Sequence, residues 1–133
     1  MAWVVDASAL VELFLRSPAA AVVREAVASG EAVAPELLDA EVLYTLARLE
    51  RSGRMTADVA GRALWQLVRV PIARVPHRDL LDGAWRRRAN LSTYDALSVA
   101  LAARLGCPLI TADARLAASP GLGIPVTLVP VHP

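Results

Sequence analysis

Lysine is absent from this sequence, and all 14 of its basic side chains other than histidine are arginines. That absence removes every mechanism that needs a catalytic lysine or a lysine paired with phosphate. Cysteine occurs once, at Cys107, so the chain can assemble neither an internal disulfide nor a thiolate zinc site. His77 and His132 add little ligand capacity. Excess charge is missing as well: 14 basic residues face 13 acidic ones, and the resulting +1 does not announce a nucleic-acid partner. No apolar run reaches the roughly 18 residues that a membrane span needs. The apolar stretch from Met1 to Leu15 is interrupted by Asp6 and Glu12, has no arginine ahead of it and is followed by no convincing cleavage site. A cytoplasmic protein with no membrane partner is therefore expected.

What is present is apolar substance. The chain has 133 residues, 56% of them hydrophobic, and a mean hydropathy of +0.44. That length suits a single domain over residues 1–133, with the apolar excess in its core or at an interface.

Short apolar runs alternate with helical patterns. Ala2-Trp3-Val4-Val5, Ala32-Val33-Ala34, Ile72 to Val75, Pro108 to Ala112 and Val126 to Val129 read as strands. Between them, helices are predicted from Ser8, from Pro18 to about Ala28, from Glu36 to Arg51, from Thr56 to about Val68, from His77 to Arg88, from Thr93 to Leu105 and from Ala114 to Ala118. Ser92 is a plausible cap, and Gly106 with Pro108 a stop signal, for the most apolar of these helices. The alternation implies an α/β fold with a central parallel sheet covered on both faces, whose ligands bind beyond the carboxyl ends of the strands.

Two of those strands end in an aspartate, Asp6 and Asp113. Each alone fits a turn or helix cap equally well, but two strands delivering an aspartate to one sheet edge form a pattern. Asp95 lies in the first turn of the apolar helix, where capping-box spacing from Ser92 also accounts for it. Glu41 sits at the margin of the stripe Leu38, Val42, Leu46 and Leu49, and can either point partly inward or pair with an arginine such as Arg48. Gathering carboxylates costs about 1 kcal/mol per contacting pair in water and several times that at a protein-like dielectric, unless a cation lies between them. Hard oxygen ligands without histidine or thiol select Mg²⁺ or Mn²⁺, and phosphodiester hydrolysis is the natural reaction for such a site.

Four blocks carry a family resemblance. Val4-Val5-Asp6-Ala7-Ser8-Ala9-Leu10 resembles the opening of the PIN-domain toxins of the VapC type. Pro35 to Val42, Tyr94 to Ala102 and Leu109 to Leu116 resemble the later blocks, in order and over essentially the whole chain. The resemblance implies a PIN-like three-layer α/β/α sandwich and a Mg²⁺- or Mn²⁺-dependent endoribonuclease that hydrolyses RNA. It also implies a cognate antitoxin occupying the active-site groove, a homodimer, and toxin-antitoxin hetero-oligomers of the type II kind. Catalytic and metal-ligand roles fall by this resemblance on Asp6, Glu41, Asp95 and Asp113, and supporting hydroxyl roles on Ser8 and Thr111. One departure stands out: some relatives have a further acid shortly after the last aspartate, where this chain has Arg115, Leu116 and Ala117.

Other features have plainer readings. Arg86-Arg87-Arg88 suits a helix C-terminus better than an RNA track. Leu64, Trp65, Leu67 and Val68 could line an antitoxin or dimer groove, or pack in the core. Trp3 and Trp85 are expected in the core, and Glu12, Asp79 and Asp82 on the surface. A response-regulator receiver domain shares the length and the acidic strand ends but needs a lysine. Dehalogenase-type phosphatases need one too, along with a second aspartate that Asp6-Ala7-Ser8 lacks, and no phosphate loop is present. A PIN-fold nuclease for RNA processing, or a silent RNA- or partner-binding module, remain the alternatives.

Overall fold

The computed structural model describes residues 1–130, so His132 lies outside the described residues. Its sheet has five parallel strands in the order β3-β2-β1-β4-β5. These are β1 (Trp3–Val5), β2 (Ala32–Pro35), β3 (Ala73–Val75), β4 (Leu109–Thr111) and β5 (Val126–Leu128). Val4 stands opposite Val33 on one side and Leu109 on the other, and Val5 opposite Ile110.

Successive strand side chains face opposite ways, and this alternation divides the core in two. Val5, Ala34 and Ile110 join the cluster under α1 (Ala7–Phe14), α2 (Ala21–Ala28), α3 (Leu37–Arg51) and α4 (Ala57–Arg69). Val4, Val33 and Leu109 join the cluster on the other face, under α5 (Leu81–Trp85), α6 (Thr93–Leu105) and α7 (Ala114–Ala117). The result is the three-layer α/β/α arrangement expected from the strand and helix alternation. Strand order reverses between β1 and β4, which makes the carboxyl ends of that pair the switch point where such sheets open a crevice.

Local chemistry sets the helix limits. Ser92 Oγ accepts from Asp95 N at 3.2 Å to start α6, and Gly106 ends it with φ of +62°, a conformation that glycine adopts without a Cβ clash. Thr56 caps α4 in the same way, through Val59 N.

The helix expected over His77 to Arg88 is broken instead into a 3₁₀ turn, His77–Leu80, and the short α5. The break accompanies burial of Leu80 and a close approach to α6, where a Cβ on Gly83 would meet Ala100 Cβ at 3.2 Å. Trp85 is not in the core: it is 62% exposed, because Ala84 takes the inward direction and the next residue turns about 100° away. The Arg88 guanidinium lies 4.1 Å from the centroid of its ring. Trp3, also expected in the core, is only partly buried and packs against it. The three arginines act locally, Arg86 on Asp82, Arg87 on the Gly83 carbonyl and Arg88 on the Trp85 carbonyl. Leu67 is buried, whereas Leu64, Trp65 and Val68 are exposed.

Candidate active site

The switch point is organised around Asp6, which is 7% exposed. It occupies the cap position of α1, yet its side chain caps nothing. Its Oδ2 accepts instead from Ser8 Oγ at 2.7 Å and from Thr111 Oγ1 at 2.9 Å. Each hydroxyl accepts in turn from backbone: Ser8 from Ala112 N at 2.9 Å, Thr111 from Asp113 N at 3.0 Å. Both hydroxyls therefore keep a proton that can be donated to Asp6, and they also lie 3.1 Å from each other. Burial raises the Asp6 pKa above the usual carboxylate value; the two hydroxyls oppose that shift and nearby Asp95 adds to it.

Asp113 follows β4 and does cap a helix: Oδ1 accepts from Arg115 N at 3.0 Å and Leu116 N at 3.1 Å. The plain reading of Asp113 therefore holds for one oxygen, while Oδ2 lies 3.4 Å from Arg115 Nη2. The same nitrogen is 3.4 Å from Asp95 Oδ2. Asp95 reaches the cleft from the first turn of α6, with its backbone N–H on Ser92.

Glu41, on α3, has no ion pair with Arg48 among the described residues, although both line the same cleft. Its pKa is pushed up to about 7, first by burial and then by the charges of Asp6 and Asp95. Asp6, Glu41, Asp95 and Asp113 thus open on one cleft of about 330 Å³, together with Ser8.

Glu12 overturns its expected surface position. It is 5% exposed and lines the same cleft. The signal was available in the helical period, since Glu12 lies one turn beyond Ser8 and shares its face of α1. Thr45 and Arg48 complete the α3 wall; Thr45 carries no distinguishing sequence signal, and Arg48 stands out in the sequence only as a candidate partner of Glu41.

The sequence profile of the PIN domain matches residues 3–122. The chain belongs to the PIN-domain family, and within it to the VapC group. It is 45% identical over 115 residues to ribonuclease VapC3 of Mycobacterium tuberculosis, covering 86% of this chain and 84% of that one. Ribonuclease VapC1 of the same species is 42% identical, covering 95% of this chain and 96% of its own. The VapC ribonuclease Mb0985 of Mycobacterium bovis is 40% identical, covering 96% and 98%. Among solved structures, PAE2754 from Pyrobaculum aerophilum superposes with a TM-score of 0.63 at 26% identity, covering 87% of this chain and 82% of that one.

The donor set of this PIN cleft suits a hard divalent cation. All its acids offer oxygen, and two of them are pushed toward the protonated form, first by burial and then by neighbouring carboxylates whose repulsion a cation would relieve. Among the described residues no three acidic side chains close into a ready cage. Mg²⁺ keeps several waters and needs only one or two direct carboxylates, so an open cleft is compatible with it. No helix among the described residues is long and apolar enough to cross a membrane.

Proposed function

We propose that this protein is a Mg²⁺- or Mn²⁺-dependent endoribonuclease, the toxin of a type II toxin-antitoxin pair. Asp6, Glu41, Asp95 and Asp113 would hold the cation, and Ser8 and Thr111 support Asp6. The observation that carries this reading is the convergence of acids from β1, β4, α3 and α6 on one cleft at the strand-order reversal. The ribonuclease names of its VapC relatives supply RNA as substrate.

Bound there, the cation would lower the pKa of a water and stabilise charge developing on the leaving oxygen. The chain's own residues do the rest. Ser8 and Thr111 hold one Asp6 oxygen in place, so the carboxylate enters the cleft in a fixed orientation. Glu41, whose pKa is pushed up to about 7 in the cation-free cleft, would give up its proton on becoming a ligand.

A cognate antitoxin covering the cleft, a homodimer, toxin-antitoxin hetero-oligomers and a cytoplasmic setting belong to the same proposal. Its test is cleavage of labelled RNA by the purified protein with Mn²⁺ and with EDTA. Cleavage that requires Mn²⁺ and is lost in Asp113→Asn and Glu41→Ala is expected. Cleavage that persists in EDTA or in both variants contradicts the site. No cleavage of any RNA favours a silent binding module.

A further inference from the structure

We propose that Arg115 is a built-in counter-ion for Asp95 and Asp113, one that a divalent cation must displace on binding. The proposal rests on the cation-site reading and adds a positioning residue that competes with the ion.

A single nitrogen, Arg115 Nη2, stands 3.4 Å from both Asp95 Oδ2 and Asp113 Oδ2. Those two oxygens come from separate elements, the first turn of α6 and the cap position of α7. Without a positive charge between them the two carboxylates would repel across the mouth of the cleft. Backbone bonding keeps the arginine at hand: Asp113 Oδ1 caps α7 through Arg115 N, so the side chain starts two residues from one of the acids it bridges.

The bridge is built to be weak. Both contacts are long for charge-assisted hydrogen bonds, and the Arg115 side chain is 73% exposed. Exposed pairs of this kind contribute little and break readily. A divalent cation and a guanidinium cannot share the gap, because their charges repel; the ion therefore enters only as Arg115 swings out.

A merely structural role predicts the opposite outcome. If Arg115 served to hold Asp95 and Asp113 in ligating positions, removing it would weaken cation binding. The test is a Mn²⁺ titration of the full chain without RNA, followed by electron paramagnetic resonance, for wild type, Arg115→Gln and Arg115→Lys. Arg115→Gln is expected to bind Mn²⁺ about three- to tenfold more tightly, in line with loss of a weak exposed competitor. Arg115→Lys, which restores the charge, is expected to stay near wild type. Equal or weaker binding by Arg115→Gln overturns the proposal, as does Arg115→Lys binding as tightly as Arg115→Gln. Absence of Mn²⁺ binding in all three proteins overturns the cation-site reading itself.

Discussion

Thr111 Oγ1 donates a 2.9 Å hydrogen bond to Asp6 Oδ2 and so ties the ends of two neighbouring strands that lie 105 positions apart in the chain. The same oxygen accepts from Asp113 N, so one hydroxyl fixes the orientation of two of the proposed ligands at once. Thr111 is fully buried, and no solvent can replace either bond.

Replacing Thr111 by valine keeps the shape and removes both bonds together with the 3.1 Å contact to Ser8 Oγ, leaving the Asp113 N–H and an Asp6 oxygen without that partner. A loss of about 1–3 kcal/mol in stability is expected from the unsatisfied groups. Thr111→Ser, which keeps the hydroxyl, should lose less. Urea denaturation of the three proteins checks the order.

Glu41 sets a pH dependence whose sign is fixed by its raised pKa, about 7 in the fold against 4.5 ordinarily. The folded protein holds a proton on Glu41 that the unfolded chain gives up. Its contribution to stability is therefore full below about pH 4.5 and is lost as pH rises through about 7. Burial raises Asp6 in the same direction. In EDTA the protein should be more stable near pH 5.5 than near pH 8, and Glu41→Gln should flatten that slope. Chemical denaturation across this range is the measurement.

Cation binding should run the other way, since it needs the deprotonated ligands. Mn²⁺ affinity is expected to rise up to about tenfold per pH unit below about pH 7 and to level off above it. Titration at several pH values checks this, and flat affinity would remove Glu41 from the ligand set.

Gly106 ends α6 at φ of +62°, where nothing lies within 4 Å of an added Cβ. The cost of alanine there is thus backbone strain alone. Gly106→Ala is expected to lower stability by about 1 kcal/mol, measured by thermal or urea unfolding.

The parts of this molecule legible in the sequence are those governed by neighbours in the chain. The limits of α6 follow from Ser92 and Gly106, and the strand ends at Asp6 and Asp113 follow from apolar runs that stop there. What stayed hidden depends on packing between distant elements. Glu12 is buried because α1 packs against both β4 and α3, so a charge in an unremarkable helical position ends up in the cleft. Trp85 is exposed because α5 stops after a single inward residue, Ala84. Arg115 meets Asp95 across 20 positions only because α7 begins beside the start of α6, and no local pattern announces that contact.

The central claim is that Asp6, at the end of β1, anchors a cation site that cleaves RNA. Its most direct test is single-turnover cleavage of one labelled RNA in Mn²⁺ by wild type and by Asp6→Asn, which keeps the side chain's size but removes its charge. A loss of about 1,000-fold or more, with Mn²⁺ binding weakened in the same variant, is the outcome predicted for an anionic ligand at the reacting centre. Cleavage by Asp6→Asn within about twofold of wild type would contradict it.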